Sequence, residues 1–388
     1  MAVAGGGIVG ALSALLAARR GWDVTLYERD PELWRGASAA NEGKVHLGPI
    51  FALGDAKTHE VMQHAALQFS VIIEDALGGP VDWEALRTDR FDYLVMPSSM
   101  SSVERLSSRY RAMNRMRRSV GRQSGNDYLG ERIDRIVDPR PRRDDATGLP
   151  AFATMERAID PLRLRGLVLA ELAASPVEVL TSTTVVRIEH APHGARIVTE
   201  LDDGGRTFDT VINCAWAWQS ALVDGATPER NFRVKCAIRL PPFPGARAVT
   251  LVQGPFGDVV GHRDYSYASW YPVGRLTNEH GTVPSADSEH LLATLGSRRD
   301  VAERQVAALQ ELGLLPPEVG DVEPIGGIIV GHGRADIDRR SSGLHSRAEF
   351  GAAVDGAIIT PLTFKLTTGP LAADRAVGAA ARLMELAS

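Results

Sequence analysis

Cysteine is nearly absent: Cys214 and Cys236 are the only two in 388 residues. Two thiols exclude a disulfide scaffold and a cysteine-rich metal site, and they suit a reducing compartment. Lysine is scarce as well. Only Lys44, Lys57, Lys235 and Lys365 stand among the 43 basic residues, so a lysine retained within a motif is informative. A strong charge of either sign is missing. The formal net charge of -5 argues against a nucleic-acid partner. Long apolar runs are missing too: none approaches the roughly 18 residues that a membrane span requires. The apolar opening, MAVAGGGIVGALSALLAARRGW, has no basic lead-in, because Arg19 and Arg20 follow it. It also has no small-residue cleavage site in register, so it does not read as a signal peptide. A soluble, cytoplasmic chain with no membrane partner is expected, as a monomer or homodimer.

What is present is globular. A hydrophobic share of 44% excludes disorder and collagen, and the length suits two domains or one large discontinuous domain. The chain opens as strand Ala2–Ala4, a glycine turn, a helix faced by Ile8, Leu12, Leu15 and Leu16, and a second strand over Val24–Tyr27. The first strand starts almost at Met1, which leaves a short edge or an upstream start as alternatives. Residues 57–77 and 103–122 read as helices. The second carries seven arginines around an apolar stripe, a pattern expected of a solvated face. Residues 138–150 read as a connector. Asp160-Pro161 opens a helix over 160–175, as an N-cap followed by proline at the first helical position. Three strands follow, Thr183–His190, Ala195–Leu201 and Thr207–Asn213, with turns near 192–194 and 202–205. Residues 232–275 are β-rich, 287–313 helical, and a final helix starts at Gly369 after two short strands.

Gly5-Gly6-Gly7-Ile8-Val9-Gly10 fits G-x-G-x-x-G with a strand before it and a helix after it. Gly5 permits the tight turn, Gly7 lets a pyrophosphate approach the backbone, and Gly10 allows close helix–strand packing. The helix N-terminus offers N–H groups and partial positive charge to the phosphates. Glu28 ends the second strand, placed to accept from both hydroxyls of an adenosine ribose. An acid there disfavours a 2′-phosphate, so FAD or NAD is expected and NADP is not.

The segment RGASAANEGKVHLG, residues 35–48, resembles the stretch after the second strand in the D-amino-acid oxidase, glycine oxidase and sarcosine oxidase family of flavoproteins. The matching positions are Gly36, Ala37, Ser38, Asn41 and Gly43. DPLRL at 160–164, VINCAW at 211–216 and WYPVG at 270–274 resemble further family segments in the same order. Two departures are visible: Trp216 stands where the family usually has glycine, and TPLTFKLTTGPLAAD at 360–374 replaces its glycine-rich C-terminal signature. The chain reads as a divergent branch.

The resemblance implies an α/β fold, a discontinuous Rossmann-type FAD-binding domain with a β-rich α+β substrate domain. The FAD parts would be 1–80, 150–225 and 325–388, and the substrate parts 81–149 and 226–324. It implies FAD, held without a covalent bond, with Ile8, Val9, Arg29, Val186, Ala215, Trp216 and Leu366 beside it. Thr367, Thr368 and Gly369 would place the first turn of the last helix at the flavin, where a helix N-terminus stabilises a reduced, negatively charged ring. Lys44 and Lys365 would add cations near it. His46 is a candidate for covalent attachment or, as the commoner case, a packed histidine. No metal is expected.

A substrate carboxylate calls for an arginine able to bind it through two N–H groups, for which Arg334 and Arg263 are the candidates. Tyr265, Tyr267, Trp270 and Tyr271 could wall a pocket, at most half of them from one strand face. The implied reaction is oxidation of the C–N bond of an amine or amino acid by hydride transfer to flavin, with dioxygen or an electron carrier as acceptor. The competing reading is a nicotinamide-dependent flavin hydroxylase. Its late G-D motif has two superficial matches, GDAKTH at 54–59 and GDVVGH at 257–262, both in the wrong place. A non-catalytic protein that retains FAD is the third.

Overall fold

Three apolar residues, Ala2–Ala4, form the middle of a six-stranded sheet and are buried on both faces. The order across the sheet is Glu178–Leu180, Thr25–Tyr27, Ala2–Ala4, Val211–Asn213, Ile358–Leu362 and Gly351–Asp355. The first five run parallel, and the last returns antiparallel beside Ile358–Leu362. Near-continuous apolar strands are what a parallel sheet covered on both faces requires. The neighbours of Ala2–Ala4 come from residues 25–27 on one side and 211–213 on the other. That reversal of strand order opens a crevice at the carboxyl ends of the strands. The computed structural model describes residues 1–125, 127–225, 229–346, 350–363 and 365–387.

Helix Ile8–Arg19 packs between this sheet and the last helix, Gly369–Ala387. Its small residues, Gly10, Ala11, Ala14 and Ala17, are buried and let both neighbours approach. Helix Pro161–Ala174 starts as its sequence requires, with Asp160 accepting from Leu162 N at 2.9 Å and from Arg163 N at 3.2 Å.

A second sheet of nine strands is built mostly from residues 92–153 and 230–281. Its longest pairing joins Arg230–Leu240 to Glu323–His332. A three-stranded antiparallel sheet over residues 185–208 covers the edge near the second strand of the parallel sheet. The expected strand over Thr207–Asn213 is divided between two sheets: Asp202–Phe208 lies in the antiparallel one and Val211–Asn213 in the parallel one. Gly204-Gly205 is therefore not a turn. A Cβ on Gly205 would sit 2.6 Å from Ile197 O, and the register shifts there, so the glycines accommodate a bulge. The expected helix over 287–313 breaks into Ala286–Ala293 and Arg299–Glu311.

Strands Pro150–Ala153 and Glu323–His332 both pair within the larger sheet. We propose that the division between the two parts falls just after these strands, near residues 155 and 333, rather than at 150 and 325.

Gly43 shows how tightly the crevice loop is seated. Its φ is +74°, and a Cβ there would lie 1.9 Å from Ile159 O. Gly21 shares the left-handed backbone, at φ +78°, but would meet nothing within 4 Å. Gly43→Ala is expected to lose about 1–3 kcal/mol more stability than Gly21→Ala, because overpacking adds to backbone strain. Urea unfolding of both variants checks this.

Candidate active site

The crevice widens into a cavity of about 1070 Å³ lined by both large sheets. At one end stands the glycine turn. Gly5 has φ +103°, with Cys214 O 2.7 Å from where its Cβ would be. A Cβ on Gly10 would lie 1.8 Å from Gly5 O, so Gly10 packs helix on strand without lining the cavity. Gly7 caps the helix without a side chain, the first turn has no acid, and Ser38 Oγ accepts from Ile8 N at 3.1 Å. A helix whose own first turn holds no acid is the setting a phosphate needs.

Glu28 sits beside the turn. Its carboxylate accepts from Gly6 N at 2.7 Å and Asp30 N at 2.9 Å, which fixes its orientation while it lines the cavity. Its remaining lone pairs suit ribose hydroxyls. Beyond it, Arg29 stacks over the Trp218 ring at 3.9 Å, and Trp218 Nε1 donates to Glu289 Oε1 at 2.5 Å. Val186 and Ala215 line the same end. Trp216, where glycine was the expected residue, has φ +52° and is steadied by its Nε1 donating to Ile328 O at 2.9 Å.

The middle of the cavity is walled by residues 35–46 and by the segment before the last helix. Asn41 braces its own loop, donating to Ala37 O and Ser38 O, each at 3.0 Å, and accepting from Gly43 N at 2.8 Å. Lys44, His46, Lys365 and Leu366 line the cavity. Thr367 and Thr368 do not. Thr367 Oγ1 accepts from His46 N at 2.8 Å and donates to Lys44 O at 3.3 Å, which ties the two walls together. Thr368 Oγ1 bonds Thr363 Oγ1 at 2.6 Å. Both threonines and Gly43 thus shape the cavity from behind.

The floor is the larger sheet. Strand Arg230–Leu240 presents Arg233, Lys235 and Ala237, alternate residues of one face. Tyr267 and Tyr271 join them, whereas Tyr265 donates to Asp160 Oδ1 at 3.1 Å and Trp270 stacks on Phe256. Two of the four aromatics thus reach the cavity: Tyr267 from the strand Ser266–Trp270 and Tyr271 from the helical turn that follows it.

Charge on this floor is buried or half-buried, and most of it is hydrogen-bonded within the protein. Lys44 Nζ lies over the Phe91 ring at 4.0 Å, donates to Thr250 Oγ1 and binds Asp258 Oδ1 at 3.0 Å. Burial pushes the Asp258 carboxyl up, but Lys44 and Lys235 outweigh it and hold the group below its ordinary value. Burial works against charge on Lys235 as well, yet Tyr267, Glu42 and Asp258 hold its ammonium above the usual lysine range. Lys235 Nζ donates to Tyr267 Oη at 3.2 Å. Arg233 Nη1 donates to Tyr271 Oη at 3.3 Å and to Asp336 Oδ1 at 3.1 Å. Burial raises the Tyr271 hydroxyl to about 12.

Behind the wall is Glu156, fully buried. It accepts from Leu47 N at 2.7 Å, from Gly48 N at 3.1 Å and from Tyr93 Oη. His46 lies 3.9 Å from Glu156 and 3.8 Å from Glu42. Burial, the largest influence, raises the Glu156 carboxyl despite the opposing pull of Lys44.

Arg334 is not at the site. Its side chain is 72% exposed and makes a two-point pair with Glu229. Arg263 is exposed and also outside the cavity. Arg233, Lys235, Asp258 and Glu156 take part without having been singled out. The signal for the first two was present: RVKCA sets two cations on alternate positions between apolar residues. No group of residues among those described could hold a metal ion, and no described helix is long and apolar enough to cross a membrane.

Residues 1–312 match the FAD dependent oxidoreductase family, DAO. The chain belongs to that family. This FAD-dependent oxidoreductase is similar in fold to glycine oxidase from Geobacillus kaustophilus, with a TM-score of 0.63, 15% identity, and coverage of 98% of this chain and 94% of that one. NikD, an unusual amino acid oxidase essential for nikkomycin biosynthesis, superposes with a TM-score of 0.65 at 14% identity, covering 98% of this chain and 93% of its own. L-Amino acid deaminase from Proteus myxofaciens gives 0.64 at 15% identity, with 98% and 90% covered. The α/β architecture and the FAD requirement anticipated from residues 5–48 are borne out.

Glu156 gives the oxidoreductase a testable pH dependence. Its folded carboxyl is raised from 4.5, so its contribution to stability is full below the unfolded value and falls as pH rises through the folded one. Glu156→Gln does not titrate. Its stability relative to wild type is expected to improve from pH 5 to pH 8, measured by urea unfolding at both.

Proposed function

We propose that this FAD-dependent oxidoreductase oxidises the C–N bond of an amine that bears a carboxylate. The observation that carries the reading is Arg233. Its side chain is 2% exposed, and it lines the same cavity as the glycine turn. Its Nε and Nη2 have no protein acceptor among the described residues. A buried guanidinium at a cavity wall, with N–H groups unmet, is the group a ligand anion would find, and a carboxylate meets it best. Arg233 takes the role first expected of Arg334.

Gly5, Gly7, Ser38, Ile8 and Val9 would hold the pyrophosphate of FAD, Glu28 its ribose, and Val186, Ala215, Trp216 and Arg29 its adenosine end. Lys44, His46, Lys365 and Leu366 would border the ring. FAD supplies a two-electron acceptor for hydride. The protein then has three tasks: Arg233 orients the substrate, Tyr271 and Asp336 fix Arg233, and the buried floor excludes water. An imine product follows, with dioxygen or an electron carrier as the final acceptor. The hydroxylase alternative is disfavoured by Asp258, which sits on the floor against Lys44 and not at the end of the parallel sheet.

Three outcomes are expected. Anaerobic addition of an amino-acid and amine panel bleaches the flavin, while NADH and NADPH do not; bleaching by nicotinamides alone would favour the hydroxylase. Glu28→Ala weakens FAD retention by about tenfold or more, the worth of a charge-assisted hydrogen bond. Arg233→Met raises KM for a carboxylate-bearing substrate by roughly 10–100-fold and changes kcat less, since binding to a remote group is lost.

A further inference from the structure

Lys235 is a second cation on the cavity floor, half-buried, and the pairing around it is uneven. Lys44 is fully engaged, by Asp258, by Thr250 and by the Phe91 ring. Arg233 and Arg275 share Asp336. Lys235 has one hydrogen bond among the described residues, to the neutral phenol of Tyr267 at 3.2 Å. An ammonium carries three donors. Two of them are left to the cavity that Lys235 lines.

Arg233 and Lys235 stand two residues apart on one strand face, so their Cα atoms are about 7 Å apart. Both residues line the same cavity from the same strand face. Between the two lies no carboxylate of the strand itself, because Val234 points to the other face. A ligand with one acid group satisfies Arg233 and leaves Lys235 under-bonded. A ligand with two acid groups, separated by a short carbon chain, satisfies both.

We infer that the site takes an amino dicarboxylate, with one carboxylate on Arg233 and the second on Lys235. This rests on the proposed C–N oxidation for the amine, but the recognition of two carboxylates stands apart from it. Glu42, which also lines the cavity, supplies the negative charge that a substrate ammonium between the two cations requires.

The test uses the FAD-loaded protein and acids that contain no amine. Glutarate, succinate and butyrate are titrated in turn, reading the shift of the flavin visible band and, independently, the rise in melting temperature. Glutarate or succinate is expected to bind about tenfold or more tightly than butyrate, the worth of one further ion-paired hydrogen bond. Lys235→Met should bring the acids within about threefold of each other, whereas Arg233→Met should weaken all of them. Equal affinity of wild type for butyrate and glutarate would overturn the inference. So would a Lys235→Met variant that keeps the preference and only slows reoxidation by dioxygen, which would place the lysine's effect on the flavin. If Lys235→Met does not fold, the wild-type ratio still decides. Failure of the oxidation reading has a different signature: tight dicarboxylate binding with no amine bleaching the flavin.

Discussion

Glu156 ties one wall of the cavity to its floor. Its carboxylate takes two backbone N–H groups from the loop at 47–48 and the hydroxyl of Tyr93, a residue of the larger sheet. That loop follows directly on Lys44 and His46. A buried carboxylate with three donors is costly to move, because any displacement leaves unmet polar groups in a dry interior. The position of Lys44 and His46 relative to the floor is therefore fixed from behind. Tyr128 adds a second tie, its hydroxyl donating to Val45 O at 2.5 Å. The cavity is held by this polar scaffold as much as by apolar packing.

The electrostatics follow from the same arrangement. One side of the cavity is a helix N-terminus whose first turn holds no acid, which suits phosphate. The other is a strand that places two cations among apolar neighbours. Asp336 pairs with Arg233 and Asp258 with Lys44, while Lys235 donates only to the Tyr267 hydroxyl among the described residues. Pairing of this kind keeps the cations charged and oriented before any ligand arrives, so little reorganisation accompanies binding. Tyr271 and Tyr267 contribute as neutral hydroxyls, both raised to about 12 by burial.

Much of the nucleotide end was legible in the sequence, because its requirements are local. Gly5, Gly7 and Glu28 sit where a strand, a tight turn and a helix must succeed one another, and short-range chemistry dictates each residue. Asp160-Pro161 was legible for the same reason. The floor was not, since Arg233 and Asp258 reach one cavity only through pairing between strands. Thr367 and Thr368 were read as lining residues because their place in the chain was right; the direction of their hydroxyls is decided by His46 and Thr363. Arg334 was chosen by position among 39 arginines, and its exposed partner Glu229 could not be foreseen. The glycines at 204–205 read as a turn because a bulge and a turn ask for the same residue.

The central claim is that a carbon–hydrogen bond beside nitrogen breaks as the flavin is reduced in this cavity. Stopped-flow reduction under anaerobic conditions, with the amino acid that bleaches the flavin and with its α-deuterated form, tests it most directly. The account predicts that deuteration slows the reductive step severalfold and leaves reoxidation by dioxygen unchanged. Identical reduction rates at saturating substrate, with no imine or carbonyl product recovered, would contradict it.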